Sequence, residues 1–365
     1  MSYRITLIKG DGIGPEVIEA AKVCLNALEI DIGWEEHLAG EPALREKGEL
    51  LPQEVLTSIK KNKVALKGPI ITPVGRGFRS INVTLRQKLD LYACVRPAKY
   101  IEGTNSKCPD TDIIVIRENS EDLYAGVEFK ENDDFTQKLI DQINKVSEDK
   151  IRKRSALSLK PISKFASERI SHFAFRLAQK EKRKKVTCVH KANIMKYTDG
   201  LFLETFREVS KLYPDIEAED IIVDNLCMQL VLHPQNFDIL LLPNLYGDII
   251  SDLCAGLIGG LGVAAGANIG DDIAIFEPVH GAAPKYAGKN KVNPTATILS
   301  ASFMLRYLGE EGKAKILEEA VYQVIKEKKS VTYDLKPTRN DPSAVGTKEM
   351  AEAIAREIKE RLRNG

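Results

Sequence analysis

Two aspartates four residues apart, Asp248 and Asp252, close the segment FDILLLPNLYGDIISD. Its apolar start reads as a strand ending at Pro243, residues 244–247 as a short loop, and Asp248 as the N-cap of a helix with Asp252 one turn later. Residues four apart share a helix face, so both carboxylates point the same way from a strand's C-terminal end. Like charges so placed repel, and a helix start explains only one of them. A hard divalent cation, Mg²⁺ or Mn²⁺, explains both, because such ions take one or two carboxylates and keep positions for a substrate's oxygens. A capping acid beside a solvated neighbour fits the same spacing, and spacing alone leaves both readings open.

Four arginines, Arg79, Arg86, Arg96 and Arg117, lie in ITPVGRGFRSINVTLRQKLDLYACVR and IIVIRENSEDLYAGVEF. Planar guanidinium forks near the ends of apolar strands suit bidentate capture of carboxylates, which implies a small polyanionic substrate. Ser80 and Asn82 would present a hydroxyl and an amide on the arginines' side if that stretch is an extended loop, although each also suits a turn. Tyr124 is a candidate proton donor or a half-buried packing residue. Lys191 and Asn193 follow an apolar run at 185–189. A lysine at a strand end can tune its pKa by partial burial and act in proton transfer, or it can be a surface residue.

The loop FEPVHGAAPKYAGKNKVNP crowds His280, Gly281, Lys285, Tyr286, Lys291 and Asn293 together. Gly and Pro make it irregular enough for its backbone to approach a ligand, and its cations favour an anion. Gly259, Gly260, Gly262 and Gly266 close a helical stretch instead of opening one after a strand, so they read as packing and turns, not as a dinucleotide fingerprint.

Short β-branched runs at residues 4–8, 63–66, 112–116, 185–189, 221–223 and 238–242 alternate with helical spacing, as at 15–28 and 200–212. That alternation predicts an α/β fold with a largely parallel sheet. Residues 130–160 are highly charged and read as an excursion from the main body, a clasp or inserted arm. Residues 348–363 have the spacing of a surface helix. The length of 365 residues allows two or three domains with a cleft between lobes. With 53 Lys+Arg against 52 Asp+Glu the formal charge is +1, which gives no global reason to bind nucleic acid or a membrane. The six cysteines form no Cys-x-x-Cys pair, so no zinc or redox motif is expected. A charged residue interrupts the first apolar stretch and no apolar run nears the ~20 residues that span a bilayer. A cytoplasmic protein is expected.

These segments, with GDGIGPEV at residues 10–17, HKANIMK, NLYGDIISD, GANIGD and HGAAPKYAGKNKVNP, resemble the β-decarboxylating dehydrogenase family of isocitrate, isopropylmalate, homoisocitrate and tartrate dehydrogenases over nearly the whole chain. The resemblance implies a two-lobed, non-Rossmann α/β fold with a mixed parallel and antiparallel sheet and a dimer clasp. It divides the chain into a large cofactor-side domain (1–91 and 259–365), a small dimerisation domain (92–121 and 166–258) and a clasp-like insertion (122–165). It also implies a homodimer with shared active sites and metal-dependent oxidation of a 2-hydroxy acid followed by loss of CO₂.

Carried onto this chain, the family's pattern makes Ser80, Asn82, Arg86, Arg96 and Arg117 substrate residues. Asp248 and Asp252, with Asp224 of the partner subunit, would hold Mg²⁺ or Mn²⁺, and Tyr124 and Lys191 would move protons. Thr72, Asn193, His280, Gly281, Lys285, Tyr286, Asn293 and Tyr333 would line the cofactor site. Family members that use isocitrate resemble this chain in carrying Ser80 and Asn82, where isopropylmalate enzymes place apolar residues; isocitrate is therefore expected over isopropylmalate. Homoisocitrate, one methylene longer, is separated by only ~1–3 kcal/mol. Lys285 and Tyr286 stand where NAD-using members begin with an aspartate, which implies NADP⁺. Pro337 departs from the pattern, since bacterial NADP-type members carry a phosphate-binding arginine there; Lys336 or Arg339 is a candidate substitute. Inactive regulatory subunits of the family lose site residues, and Arg86, Arg96, Arg117, Tyr124, Lys191, Asp224, Asp248 and Asp252 are all present here.

Overall fold

The computed structural model describes residues 2–71 and 80–364, so Thr72 and Arg79 lie outside the described residues. Among the described residues the strands are β1 (Tyr3–Ile8), β2 (Ile32–His37), β3 (Val64–Lys67), β4 (Ala93–Lys99), β5 (Asp112–Glu118), β6 (Glu128–Phe129), β7 (Leu157–Ser158), β8 (Lys185–His190), β9 (Glu217–Ile222), β10 (Ile239–Leu242), β11 (Ala265–Ile269) and β12 (Ala274–Pro278). Ten form one sheet in the order β2-β1-β3-β12-β11-β4-β5-β10-β8-β9, and β6 pairs with β7 apart from it.

The sheet is less parallel than the strand pattern alone predicts. Its two wings are parallel, but the pairs β12–β11, β11–β4 and β4–β5 at its centre are antiparallel. The central strands escaped notice because polar or breaking residues interrupt them: Pro97 in β4, Gly266 and Asn268 in β11, Glu277 in β12. Pro97 is tolerated because β11 pairs only Ala93 to Val95, which leaves β4 as an edge beyond that point. The sheet runs unbroken across the junction of β11 and β4, where chain segments 1–91 and 259–365 meet segment 92–258.

Parallel strands covered on both faces read as continuous apolar runs. Ile5, Leu7 and Ile8 of β1 are fully buried, and the Thr6 hydroxyl between them lies 2.8 Å from Ser58 Oγ. The helix Gly14–Ala27 starts with a proline in its first turn and buries Val17, Ile18, Ala20, Ala21, Cys24 and Leu25 on one face. It joins Met304 and Leu305 of helix Thr295–Tyr307 and Ile354 and Ile358 of helix Thr347–Asn364 in one core. Full burial of each such side chain contributes ~1.5–3 kcal/mol.

The run at 221–223 is the end of a longer strand: β9 spans Glu217–Ile222, and Val223 opens the helix Val223–Leu232. Polar residues disguised it. Glu219 and Asp220 are paired with Lys185 and Arg207 along this sheet edge. The charged excursion leaves the sheet after β5, builds the β6–β7 pair and the helix Asp134–Val146, and returns where Asp122 N–H donates to Pro161 O at 3.0 Å. No helix among the described residues is long and apolar enough to cross a membrane.

Candidate active site

The helix carrying the two aspartates starts earlier than predicted. It spans Asn244–Leu257 with Pro243 at its N-cap, so the expected loop 244–247 is its first turn and Asp248 lies inside it. The cap comes from elsewhere: the buried Asp122 carboxylate accepts the Leu245 N–H at 2.8 Å, and Asn244 donates to Glu121 O at 3.0 Å. The capping explanation of Asp248 therefore falls away. Its carboxylate is held instead by the Arg117 guanidinium and by the Tyr124 hydroxyl, which donates to Oδ2 at 2.6 Å.

Arg117 is the penultimate residue of the apolar strand β5 and is 1% exposed. Its Nε and Nη2 donate to Asn244 Oδ1 at 2.9 and 2.7 Å, and its guanidinium lies 4.5 Å from the centroid of the Tyr124 ring. Gly247 makes this approach possible, since a Cβ there would stand 2.5 Å from Arg117 Cβ and Cγ. Arg96, from β4, donates to Ser251 Oγ at 2.5 Å and to Asp252 at 3.3 Å, and lies 3.8 Å from Asp248. Burial pulls the Asp248 carboxyl up, but Arg117, the Tyr124 hydroxyl, Arg96 and Arg86 outweigh it and hold it below the usual range. For Asp252, burial and the neighbouring Asp248 charge prevail over the arginines and raise it. Two carboxylates on one helix face, one of them disfavoured in its charged form, fit a divalent cation.

Ser80 and Asn82 are not on an extended loop. A helix spans Ile81–Lys88 with Ser80 as N-cap, whose carbonyl accepts the Thr84 N–H and hydroxyl at 2.9 and 3.0 Å. Helical spacing puts Asn82 and Arg86 on one face, and both line a cavity of about 420 Å³ with Arg96, His280 and Gly281. Asn82 Oδ1, Arg86 Nε and His280 Nε2 are buried there without a partner among the described residues. Buried polar atoms without partners call for an explanation, and a ligand in the adjoining cavity supplies one. Burial also pushes the His280 pKa down, so the ring is neutral at neutral pH.

Lys67 and Glu277, which sequence reasoning missed, complete this cavity. Lys67 is 2% exposed and its ammonium lies 2.5 Å from Glu277, which also accepts from Asn268 at 2.6 Å and faces Arg86 at 3.7 Å. Burial opposes the Glu277 charge, but Lys67 and Arg86 win and hold its carboxyl at about 2. The available signal was a lone charge in each of the apolar strands VALK and AIFEP.

Lys191 and Asp224 lie elsewhere. Lys191 Nζ is 2.5 Å from Asp224 Oδ1, on the turn after β8 and the first turn of helix Val223–Leu232. Within one chain Asp224 does not join Asp248 and Asp252, and among the described residues no three His, Cys, Asp or Glu side chains converge as a metal cluster. Asn193 is exposed on the Lys191 turn.

Residues 276–278 of the expected loop close β12, and the loop proper, 279–294, rests on the first turn of the fold: Ile13 N–H donates to Ala282 O at 2.9 Å, and Gly12, at φ +57°, has no room for a Cβ beside that carbonyl. Lys285 and Tyr286 are at its rim, with the ammonium 5.1 Å from the ring centroid. The Tyr333 ring lies 6.5 Å from that of Tyr286 and 4.9 Å from Lys291 Nζ. Asn293 is buried, donating to Asp334 and accepting from Thr295 N, both at 3.0 Å, so it fastens the loop. Lys336 is no substitute for the arginine replaced by Pro337, because its buried ammonium donates to Lys328 O and Lys329 O at 2.6 and 3.3 Å.

A cavity lined by Arg86 and Arg96, beside a carboxylate pair on a mixed α/β sheet, has the make-up of an enzyme's active site. More narrowly, residues 4–354 match the isocitrate/isopropylmalate dehydrogenase family, and the chain belongs to that family of oxidoreductases. It is similar to the crystal structure of isocitrate dehydrogenase from Methylococcus capsulatus, with 48% identity and a TM-score of 0.89 over 98% of this chain and 99% of that one. It is 46% identical to a catalytic subunit of the mitochondrial NAD isocitrate dehydrogenase of Arabidopsis thaliana, over 90% of this chain and 83% of that protein. It is 44% identical to the NADP isocitrate dehydrogenase of Archaeoglobus fulgidus, over 97% of this chain and 92% of that protein.

Proposed function

We propose that the protein oxidises and decarboxylates isocitrate to 2-oxoglutarate and CO₂ with NADP⁺, as a homodimer that uses Mg²⁺ or Mn²⁺. The observation that carries this reading is the cavity lined by Asn82, Arg86 and Arg96, the last of which reaches Asp248 and Asp252. Arg86 and Arg96 line this cavity and, with Arg117 beside Asp248, suit a polycarboxylate, while the buried Asn82 Oδ1, without a partner among the described residues, makes a polar wall that fits an isopropyl group poorly.

Asp248 and Asp252, with Asp224 of the partner subunit, would hold the cation, whose chemistry is Lewis-acid polarisation of the substrate's oxygens. Lys191 of the partner subunit, with the cation-holding carboxylates, would relay the substrate's hydroxyl proton, and the nicotinamide would supply the hydride acceptor. The β-carboxylate then departs as CO₂, and Tyr124 protonates the resulting enolate carbon. Second-copy contact is supported by exposed apolar residues on adjacent helices: Met228, Val231 and Leu232 on one, Ile249 on the other. Residues 1–91 with 259–365 form the cofactor lobe, 92–121 with 166–258 the dimerising lobe, and 122–165 the clasp.

NADP⁺ is favoured by Lys285 and Tyr286, since Lys285 has no carboxylate partner among the described residues and is open to a 2′-phosphate. The test is to assay the purified chain with isocitrate, homoisocitrate and isopropylmalate, each with NADP⁺ and NAD⁺ and with Mn²⁺. Isocitrate with NADP⁺ should give the highest kcat/KM. Faster turnover of isopropylmalate would refute the substrate, faster turnover with NAD⁺ the cofactor, and no turnover at all would indicate a regulatory role.

A further inference from the structure

One buried carboxylate that this reaction scheme does not use ties the Lys191 turn to the rest of the site. Asp199, in the first turn of helix Thr198–Ser210, has no exposed surface. Its Oδ2 accepts the backbone N–H of Lys191 at 2.7 Å, and its Oδ1 pairs with the Lys160 ammonium. That ammonium lies 4.5 Å from the centroid of the Tyr246 ring, two residues before Asp248. Lys160 itself stands at the end of the excursion 122–165. Three elements of the site thus meet at one charge: the lysine turn, the aspartate helix and the inserted arm.

Cohesion alone does not explain this arrangement. Desolvating two ions is so costly that an apolar pair of similar volume commonly stabilises a fold as well or better. What an apolar pair lacks is an acceptor for the Lys191 N–H, the first backbone group after β8. We propose that Asp199 is a positioning residue for Lys191: its carboxylate fixes where the turn leaves the strand, and so where the Lys191 ammonium reaches. The proposal rests on the role of Lys191 in the function proposed above. A displacement of about 1 Å in a proton-transfer group can cost ~10²-fold in rate.

The double variant Asp199→Ala/Lys160→Met removes both charges together, strands neither, and deletes the acceptor. It should remain a folded dimer with kcat reduced ~10–100-fold, KM for isocitrate within about twofold of wild type, and ~10-fold faster hydrogen exchange at the Lys191 amide. Wild-type kcat, a loss that resides in KM, or unchanged exchange at Lys191 would overturn the proposal. Should that variant not fold, Asp199→Glu keeps the ion pair while shifting the acceptor by one methylene. It should lower kcat ~10-fold at constant KM, and a wild-type kcat there would be equally decisive against it. A wild-type protein that turns over no 2-hydroxy acid would instead refute the proposed function, and amide exchange would still report on the anchoring.

Discussion

The Tyr124 hydroxyl donates a 2.6 Å hydrogen bond to Asp248 while the Arg117 guanidinium lies 4.5 Å from the centroid of the same ring. One phenol is thus fixed between a candidate metal ligand and a candidate substrate arginine. Burial raises its pKa and the bond to Asp248 raises it further, so it enters the reaction protonated.

Tyr124→Phe removes only that hydroxyl. The expected result is a fall in kcat of ~10²–10⁴-fold with the KM for isocitrate nearly constant, measured by steady-state kinetics. A KM effect alone would assign Tyr124 to positioning.

Gly247→Ala should damage both fold and binding. The added carbon would stand 2.5 Å from Arg117 Cβ and Cγ, a distance that forces the arginine or the helix to move. Denaturant unfolding should show a loss of ~1–3 kcal/mol, and KM for isocitrate should rise. Unchanged stability and KM would show that the contact relaxes freely.

The Glu277 carboxyl gives a pH dependence of known sign. Its pKa is depressed on folding, so its contribution is present above the ordinary value of 4.5 and is lost as pH falls toward about 2. A shift of that size corresponds to roughly 3 kcal/mol. Glu277→Gln should be less stable near neutral pH, because Lys67 loses its buried partner, and should lose less stability on acidification than wild type. Parallel acid-unfolding curves would contradict this.

Cofactor choice is assigned to the loop rim. Lys285→Asp with Tyr286→Ile should lower kcat/KM for NADP⁺ by ~10³-fold and leave NAD⁺ largely unaffected. Lys336→Met should leave the NADP⁺/NAD⁺ ratio alone while lowering stability, since that ammonium is buried against backbone carbonyls. A changed ratio in Lys336→Met would return it to the cofactor site.

Much of this site was legible locally. Apolar β-branched runs marked β1, β5, β8 and β10, and the four-residue spacing of Asp248 and Asp252 placed both on one helix face wherever the helix began. Its start was misread because the cap, Asp122, lies 123 residues before the amide it accepts. The polar edge strand β2 was missed for a similar reason: Glu36 is matched by Lys9 and Lys22 from other elements, at 2.8 and 3.2 Å. The Lys67–Glu277 pair and the Asp199 junction left only isolated charges in the local pattern, since their partners are brought together by the sheet.

In a single chain, the Lys191–Asp224 pair and the Asp248–Asp252 pair are separate, and a shared site needs a second copy to unite them. Mixed dimers test this most directly. Asp252→Asn and Lys191→Met should each be nearly inactive alone. Co-refolded, they should recover activity approaching a quarter of wild type, because in a mixed dimer one site carries both lesions and the other carries neither. No recovery in mixtures shown to contain the mixed dimer would contradict the shared site and place Lys191 and Asp252 in the service of the same chain.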